Sequence, residues 1–111
     1  MDNIVSRRRE LFNAYKNLWQ SETAMDASPK KISEHSAYQS IIKMGWYAIP
    51  FIIEELKDNL QHWFYALRAI TGEDPVKKEH QGYMQKMAQD WINWWEKYKK
   101  ELRNLGVKRS N

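Results

Sequence analysis

Met84, Ala88, Trp91, Trp95, Tyr98, Leu102 and Leu105 follow one another at intervals of 4, 3, 4, 3, 4 and 3 residues. An interval averaging about 3.5 keeps all seven on one stripe of an α-helix, whereas the period of two in a β-strand would throw them onto both faces. The spacing therefore predicts a long helix from Met84 to Leu105, ending before Gly106. No Asn-Gly hairpin signal and no run of alternating apolar residues competes with it elsewhere. The chain is expected to be all-α.

A first amphipathic helix is predicted over Ile4 to Trp19, where Ile4, Leu11, Tyr15 and Leu18, with Val5, Phe12 and Trp19 beside them, recur between Arg and Lys. Thr23 to Ser33 holds Asp26, Ser28 and Pro29 and reads as a loop, because proline breaks a helix interior. Ser33 or Ser36 is placed to cap a second, short helix that buries Tyr38, Ile41 and Ile42 and stops at Gly45. A third begins near Trp46 or Ala48, tolerates Pro50 in its first turn, buries Phe51, Ile52, Ile53 and Leu56, and ends at Asp58-Asn59. A fourth, from Gln61 to Thr71, buries Trp63, Leu67 and Ile70 before Gly72, and the polar stretch Glu73 to Gln81 connects it to the last. The two long terminal helices are expected to pack side by side on the short central pair. The result would be a compact bundle of about five helices forming a single domain over residues 1 to 111.

Six Trp, six Tyr and three Phe supply much of the core, since each ring can bury roughly 150 to 250 Å². There is no cysteine, which removes a disulfide framework, a thiolate zinc site and a cysteine nucleophile together. The reducing cytoplasm is the expected compartment. Arg7, Arg8 and Arg9 are followed by no apolar run of signal-peptide type, and no apolar stretch approaches the roughly 20 residues that span a bilayer. Neither secretion by the usual signal nor membrane contact is expected. The net charge of +4 is placed unevenly. Residues 1 to 93 balance twelve basic against twelve acidic side chains, and the excess comes from Lys97, Lys99, Lys100, Arg103, Lys108 and Arg109 against Glu96 and Glu101.

Gly45, Ala48, Pro50, Leu56, Asp58, Ala66, Leu67, Ile70 and Gly72 give residues 45 to 72 the look of one HEAT-type helical hairpin. His62-Trp63 stands where such a unit usually has Val-Arg, and no second copy follows; a solenoid needs about three. A wider pattern, from Trp19 to Thr23, Ala37-Tyr38 with Ile41-Ile42, the Pro50 helix, His62 to Pro75 and Trp91 to Trp95, resembles a group of short bacterial helical proteins. That resemblance implies a bacterial or phage source and a compact helical fold, and no activity.

The residues that could carry chemistry have simpler readings. His62 lies four residues after Asp58 and eight after Glu54, which would align three metal ligands on an unbroken helix, but a helix ending at Asp58-Asn59 separates them. Glu54 and Glu55 are about 100° apart around a helix and cannot face one cleft as an acid and base pair. They read as a solvated face. His35 and His80 sit among polar residues and read as solvated. Gly72-Glu73-Asp74-Pro75 has the wrong composition for a phosphate cradle. No catalytic residue, metal or cofactor is expected, and the protein is read as a non-enzyme.

Aromatic excess without reactive groups points to contact instead. Trp94 and Trp95 are about 100° apart on the last helix, so one of them is not held on a narrow stripe. Trp46, Tyr47, Tyr65 and Trp94 are the candidate anchors for a protein partner or a second copy of the chain, with Arg68 as an anion or ring contact, because Trp, Tyr and Arg dominate interface energetics. Against this, a wide core would absorb the rings, and Arg68 could point outward with its stem on an aromatic surface. The alternative function is an accessory nucleic-acid binder. Lys97, Lys100 and Arg103 would contact phosphates, joined by Arg7 to Arg9 if the terminal helices are neighbours. A lysine-rich solvated face complementing the helix dipole is the simpler account of the same charges.

Overall fold

A computed structural model describes the backbone of residues 2 to 58 and 62 to 110, and the side chains of residues 3 to 58 and 62 to 105. All regular structure among them is helical, so the protein is all-α. Its two longest helices are the terminal ones, α1 (Asp2–Thr23) and α6 (Met84–Ser110). Between them lie α2 (Pro29–Glu34), α3 (Ser36–Lys43), a 3-10 turn (Gly45–Ala48), α4 (Ile49–Asp58), α5 (Phe64–Thr71) and a second 3-10 turn (Lys78–His80). The chain divides into two compact units, Met1–Glu73 and Asp74–Asn111.

In the first unit α1 packs on α3, and α3 in turn on α2, α5 and the first 3-10 turn. The spacing of α1 offers two apolar registers, and the fold takes the one with the larger rings. Phe12, Trp19 and Thr23 are buried while Ile4, Leu11 and Leu18 remain exposed, since a buried ring removes more surface from water than an aliphatic chain does. The expected loop between Thr23 and Ser33 is not continuous. Pro29 opens α2 from its first position, where the missing N–H costs nothing, and Ser28 stands before it as N-cap. Neither Ser33 nor Ser36 caps α3; His35 does, its Nδ1 accepting from the Ala37 N–H at 3.0 Å. Gly45 ends that run with φ +67°, a conformation that would strain any residue with a Cβ.

The 3-10 turn leads straight into α4, with Pro50 in the first turn as its fixed φ allows. Ile49, Phe51, Ile52, Ile53 and Leu56 bury most of its circumference. Helix α4 is described to Asp58, the first residue of its expected end at Asp58-Asn59, while Asn59 and the expected start of the next helix at Gln61 fall outside the described residues. Helix α5 itself begins at Phe64, with Trp63 as its N-cap, and closes at Gly72 in the left-handed conformation.

Trp63 is the centre of the first unit. It is fully buried, and its ring centroid lies 4.8 Å from that of Trp19, 5.6 Å from Phe12 and 6.1 Å from Tyr38. Phe51 of α4 joins through Phe12 at 5.5 Å. Rings at these separations attract beyond their area burial, and here they tie α1, α3, α4 and the entrance of α5 to one another.

Tyr38 adds a second tie. Trp63 has no side-chain oxygen to cap α5, so the Tyr38 hydroxyl reaches across from α3, accepting from the Ala66 N–H at 3.0 Å and donating to the His62 carbonyl at 2.7 Å. It serves the N–H that a serine or aspartate cap would normally serve. Burial pushes the phenol well above its ordinary value, so it stays protonated as the donor the His62 carbonyl requires. Tyr38→Phe keeps the ring and orphans both groups. It is expected to cost about 1–3 kcal/mol, read as a lower urea midpoint with an unchanged slope.

In the second unit a polar segment turns at Lys78–His80 and packs on α6. The apolar stripe of α6 is buried in part only. Ala88 and Trp91 are buried, Trp95 and Tyr98 half-buried, and Leu102 and Leu105 exposed. Nor does the helix end before Gly106, which lies inside it; an interior glycine costs only about 1 kcal/mol relative to alanine.

Candidate interaction surface

Four of the five anchor residues named from the sequence lie in the first unit, on two elements that touch. Trp46 and Tyr47 occupy the 3-10 turn, Tyr65 and Arg68 occupy α5, and the turn packs against α5. Tyr47 is 57% exposed and Tyr65 48% exposed. The i, i+3 spacing of Tyr65 and Arg68 places both on the solvent side of α5. Neither tyrosine hangs loose. The Tyr65 ring stacks at 6.3 Å on Tyr38, and the Arg8 guanidinium lies 3.6 Å from the centroid of Tyr47, a cation–π distance. Trp46 is 41% exposed and already engages a neighbouring group.

The fifth anchor, Trp94, belongs to the second unit. It is half-buried, with ring centroids 5.3 Å from Trp91, 6.2 Å from Trp95 and 5.5 Å from Tyr98. The run of Trp residues is therefore a ladder of rings along α6, not one buried row with a spare ring.

Lys97, Lys100 and Arg103 are exposed on α6. Lys99, between them, is held 3.0 Å from Glu96 and lies over the Trp95 ring. The side chains of Lys108 and Arg109 lie outside the described residues. Two of the three amino-terminal arginines have other duties: Arg8 covers Tyr47, and Arg9 pairs with Glu54 at 2.9 Å while lying over Phe51.

Glu54 and Glu55 diverge as adjacent helical residues must, but they are not simply solvated. Glu54 takes Arg9, and Glu55 takes Lys16 at 3.0 Å with both side chains only about a fifth exposed. The pair fastens α4 to α1. His62 follows the end of α4 and is exposed, its backbone carbonyl being the acceptor for Tyr38. Glu54, Asp58 and His62 therefore do not share one helix, and no group of three or more His, Asp or Glu side chains converges as a metal site among the described residues.

The other two histidines depart from the solvated reading. With Nδ1 of His35 accepting from Ala37, the proton sits on Nε2, which donates to Glu22 at 2.6 Å. In the second unit the His80 Nδ1 lies 2.7 Å from Asp90 Oδ2, and the Lys77 N–H donates to the same oxygen at 3.0 Å. Asp90 is only 8% exposed. Burial alone would raise its carboxyl, but the His80 hydrogen bond, the Lys77 N–H and the charges of both residues outweigh that and hold it below the ordinary aspartate value. The sequence marks this pair weakly. Asp90 stands one position before Trp91, in a helix read for its apolar stripe, and no local spacing rule connects it to His80.

A cavity of about 340 Å³ opens beside α1 and α2, lined by Trp19, Gln20, Thr23, Ala24, Asp26, Ile32 and His62. Trp19 and Ile32 form a buried floor, and exposed Asp26 and His62 a polar rim. No helix among the described residues is long and apolar enough to cross a membrane. No protein-family model matches the chain, and no curated protein or solved structure matches it.

Proposed function

We propose that the protein is a non-enzymatic interaction module of the cytoplasm, binding a protein partner or a second copy of itself through Trp46, Tyr47, Tyr65 and Arg68, with Trp94 a further anchor on α6. One observation carries this reading: two half-exposed tyrosines sit on contacting elements, each already braced by a neighbour, Arg8 for Tyr47 and Tyr38 for Tyr65. A braced ring loses little freedom when a partner covers it, which is why rigid aromatics act as interface anchors. The reading involves no metal or cofactor.

The test is the double variant Tyr47→Ala/Tyr65→Ala. Both side chains are about half exposed, so stability should change by no more than about 1 kcal/mol. Self-association measured by sedimentation, and cross-linked partners recovered from the source cell, should both fall by about tenfold or more. A chain that stays monomeric at all concentrations, and whose cross-linked partners are the same with and without the two rings, would remove the proposal.

The second reading, an accessory nucleic-acid binder, rests on the exposure of Lys97, Lys100 and Arg103 on one helix. It requires binding that weakens steeply with salt, the slope falling as these residues are replaced one by one.

A further inference from the structure

We infer that His80 is a phosphoryl-acceptor site, taking a phosphoryl group on Nε2 from a small anionic donor of the acyl phosphate or phosphoramidate class. The inference concerns the second unit and is independent of the aromatic surface. It starts from the proton inventory. Asp90 is ionised, buried and accepts on one oxygen both the Lys77 N–H and the His80 ring at 2.7 Å. A carboxylate can only accept, so Nδ1 carries a proton, and in the neutral form of the ring, the form that can attack, the lone pair lies on Nε2.

Nε2 has no partner among the described residues. The His80 side chain is 24% exposed while Asp90, against its Nδ1 edge, is 8% exposed. Nε2, which has no partner among these residues, is not among the fully buried side-chain nitrogens and so reaches solvent. An imidazole whose other nitrogen donates to a carboxylate is held in one tautomer and one orientation. A fixed tautomer and a fixed orientation are what nucleophilic attack by Nε2 demands. Lys77 and Lys78 precede the site and Lys86 lies in the first turn of α6, with Asp74, Glu79 and Asp90 the acids of the same stretch; exposed Lys77 and Lys78 are the cations nearest in sequence for the oxygens of an anionic donor.

The step balances without any further reactant. The Nε2 lone pair forms the N–P bond, the P–O bond to the acyl group (or P–N bond of the phosphoramidate) breaks, and the leaving group departs with that electron pair. The ring becomes cationic with its proton still on Nδ1, and the Asp90 carboxylate stabilises that charge as it develops. His35 cannot follow this course, since its Nδ1 accepts from Ala37 and its Nε2 donates to Glu22. His62 is exposed and lacks a buried carboxylate, which makes it the internal reference.

The experiment is to incubate the full chain with phosphoramidate, and separately with acetyl phosphate, and to map the label by fragmentation at neutral or alkaline pH. Free histidine under the same conditions serves as a reactivity control. We expect His80 to be labelled at least about tenfold faster than His62, with phosphorus NMR reporting the Nε2 isomer. Asp90→Asn, which retains an acceptor for the Lys77 N–H, should remain folded by circular dichroism, reduce His80 to the rate of His62 and mix the two ring isomers. Labelling of His80 no faster than His62 or free histidine, an Nδ1 product in the wild-type chain, or an unchanged rate in a folded Asp90→Asn protein would each overturn the assignment.

Discussion

Trp63→Ala should destabilise the protein by about 3–5 kcal/mol. Small domains retain only about 5–15 kcal/mol in all, so the variant is expected to sit near its unfolding midpoint at room temperature. The size of the effect follows from position. Trp63 is fully buried and its ring touches Trp19, Phe12 and Tyr38 from two other helices, so truncation opens a cavity that no single neighbour can refill by changing rotamer. Urea unfolding followed by circular dichroism provides the measurement. A loss under about 1.5 kcal/mol, the range of a well-tolerated volume change, would show that the ring cluster is not the centre of the first unit.

The second large effect belongs to Asp90. Asp90→Ala leaves the Lys77 N–H and the His80 Nδ1–H without their common acceptor. Removing a nearly buried charged acceptor from two donors is expected to cost about 2–3 kcal/mol, seen first as faster hydrogen exchange in the turn at Lys78–His80. The pH dependence has a definite sign. The Asp90 carboxyl is held below its ordinary value in the folded state, so its contribution is complete above the unfolded aspartate pKa of about 3.9. It is lost as the pH falls through the lower folded value. The difference in stability between wild type and Asp90→Asn should therefore be constant near neutral pH and shrink in acid; a gap that widens in acid would contradict the hydrogen-bonding arrangement.

Helix identity was legible in the sequence wherever periodicity was long or a glycine closed the element. The helix from Met84, the stop at Gly45 and the stop at Gly72 follow from local rules and appear in the structure, whereas the expected stop before Gly106 does not, since α6 runs on to Ser110. What failed was register and capping. The spacing of α1 admits Ile4–Leu11–Leu18 as readily as Phe12–Trp19, and only tertiary packing decides between them. Pro29 looks like a breaker in the sequence because proline in the middle and at the start of a helix are alike until the boundary is known. The caps supplied by His35 and by Tyr38 escape residue-type rules because neither is a standard capping residue.

The surface was half legible. Composition singled out Tyr47, Tyr65 and Arg68, and these are exposed on touching elements. It could not show that Arg8 lies on Tyr47, that Arg9 and Lys16 are drawn to Glu54 and Glu55, or that His80 meets Asp90. Such pairs join residues 10 to 45 positions apart, and no local pattern encodes them.

The hydroxyl lent by Tyr38 has a bearing on how this protein can be cut. A fragment spanning 45 to 72 would contain both of its helices yet none of α3, so the first turn of α5 would lose its outside donor and acceptor together with the rings of Phe12 and Trp19. Such an excised segment should stay largely unstructured in water, because its second helix is assembled on a neighbour and not on itself.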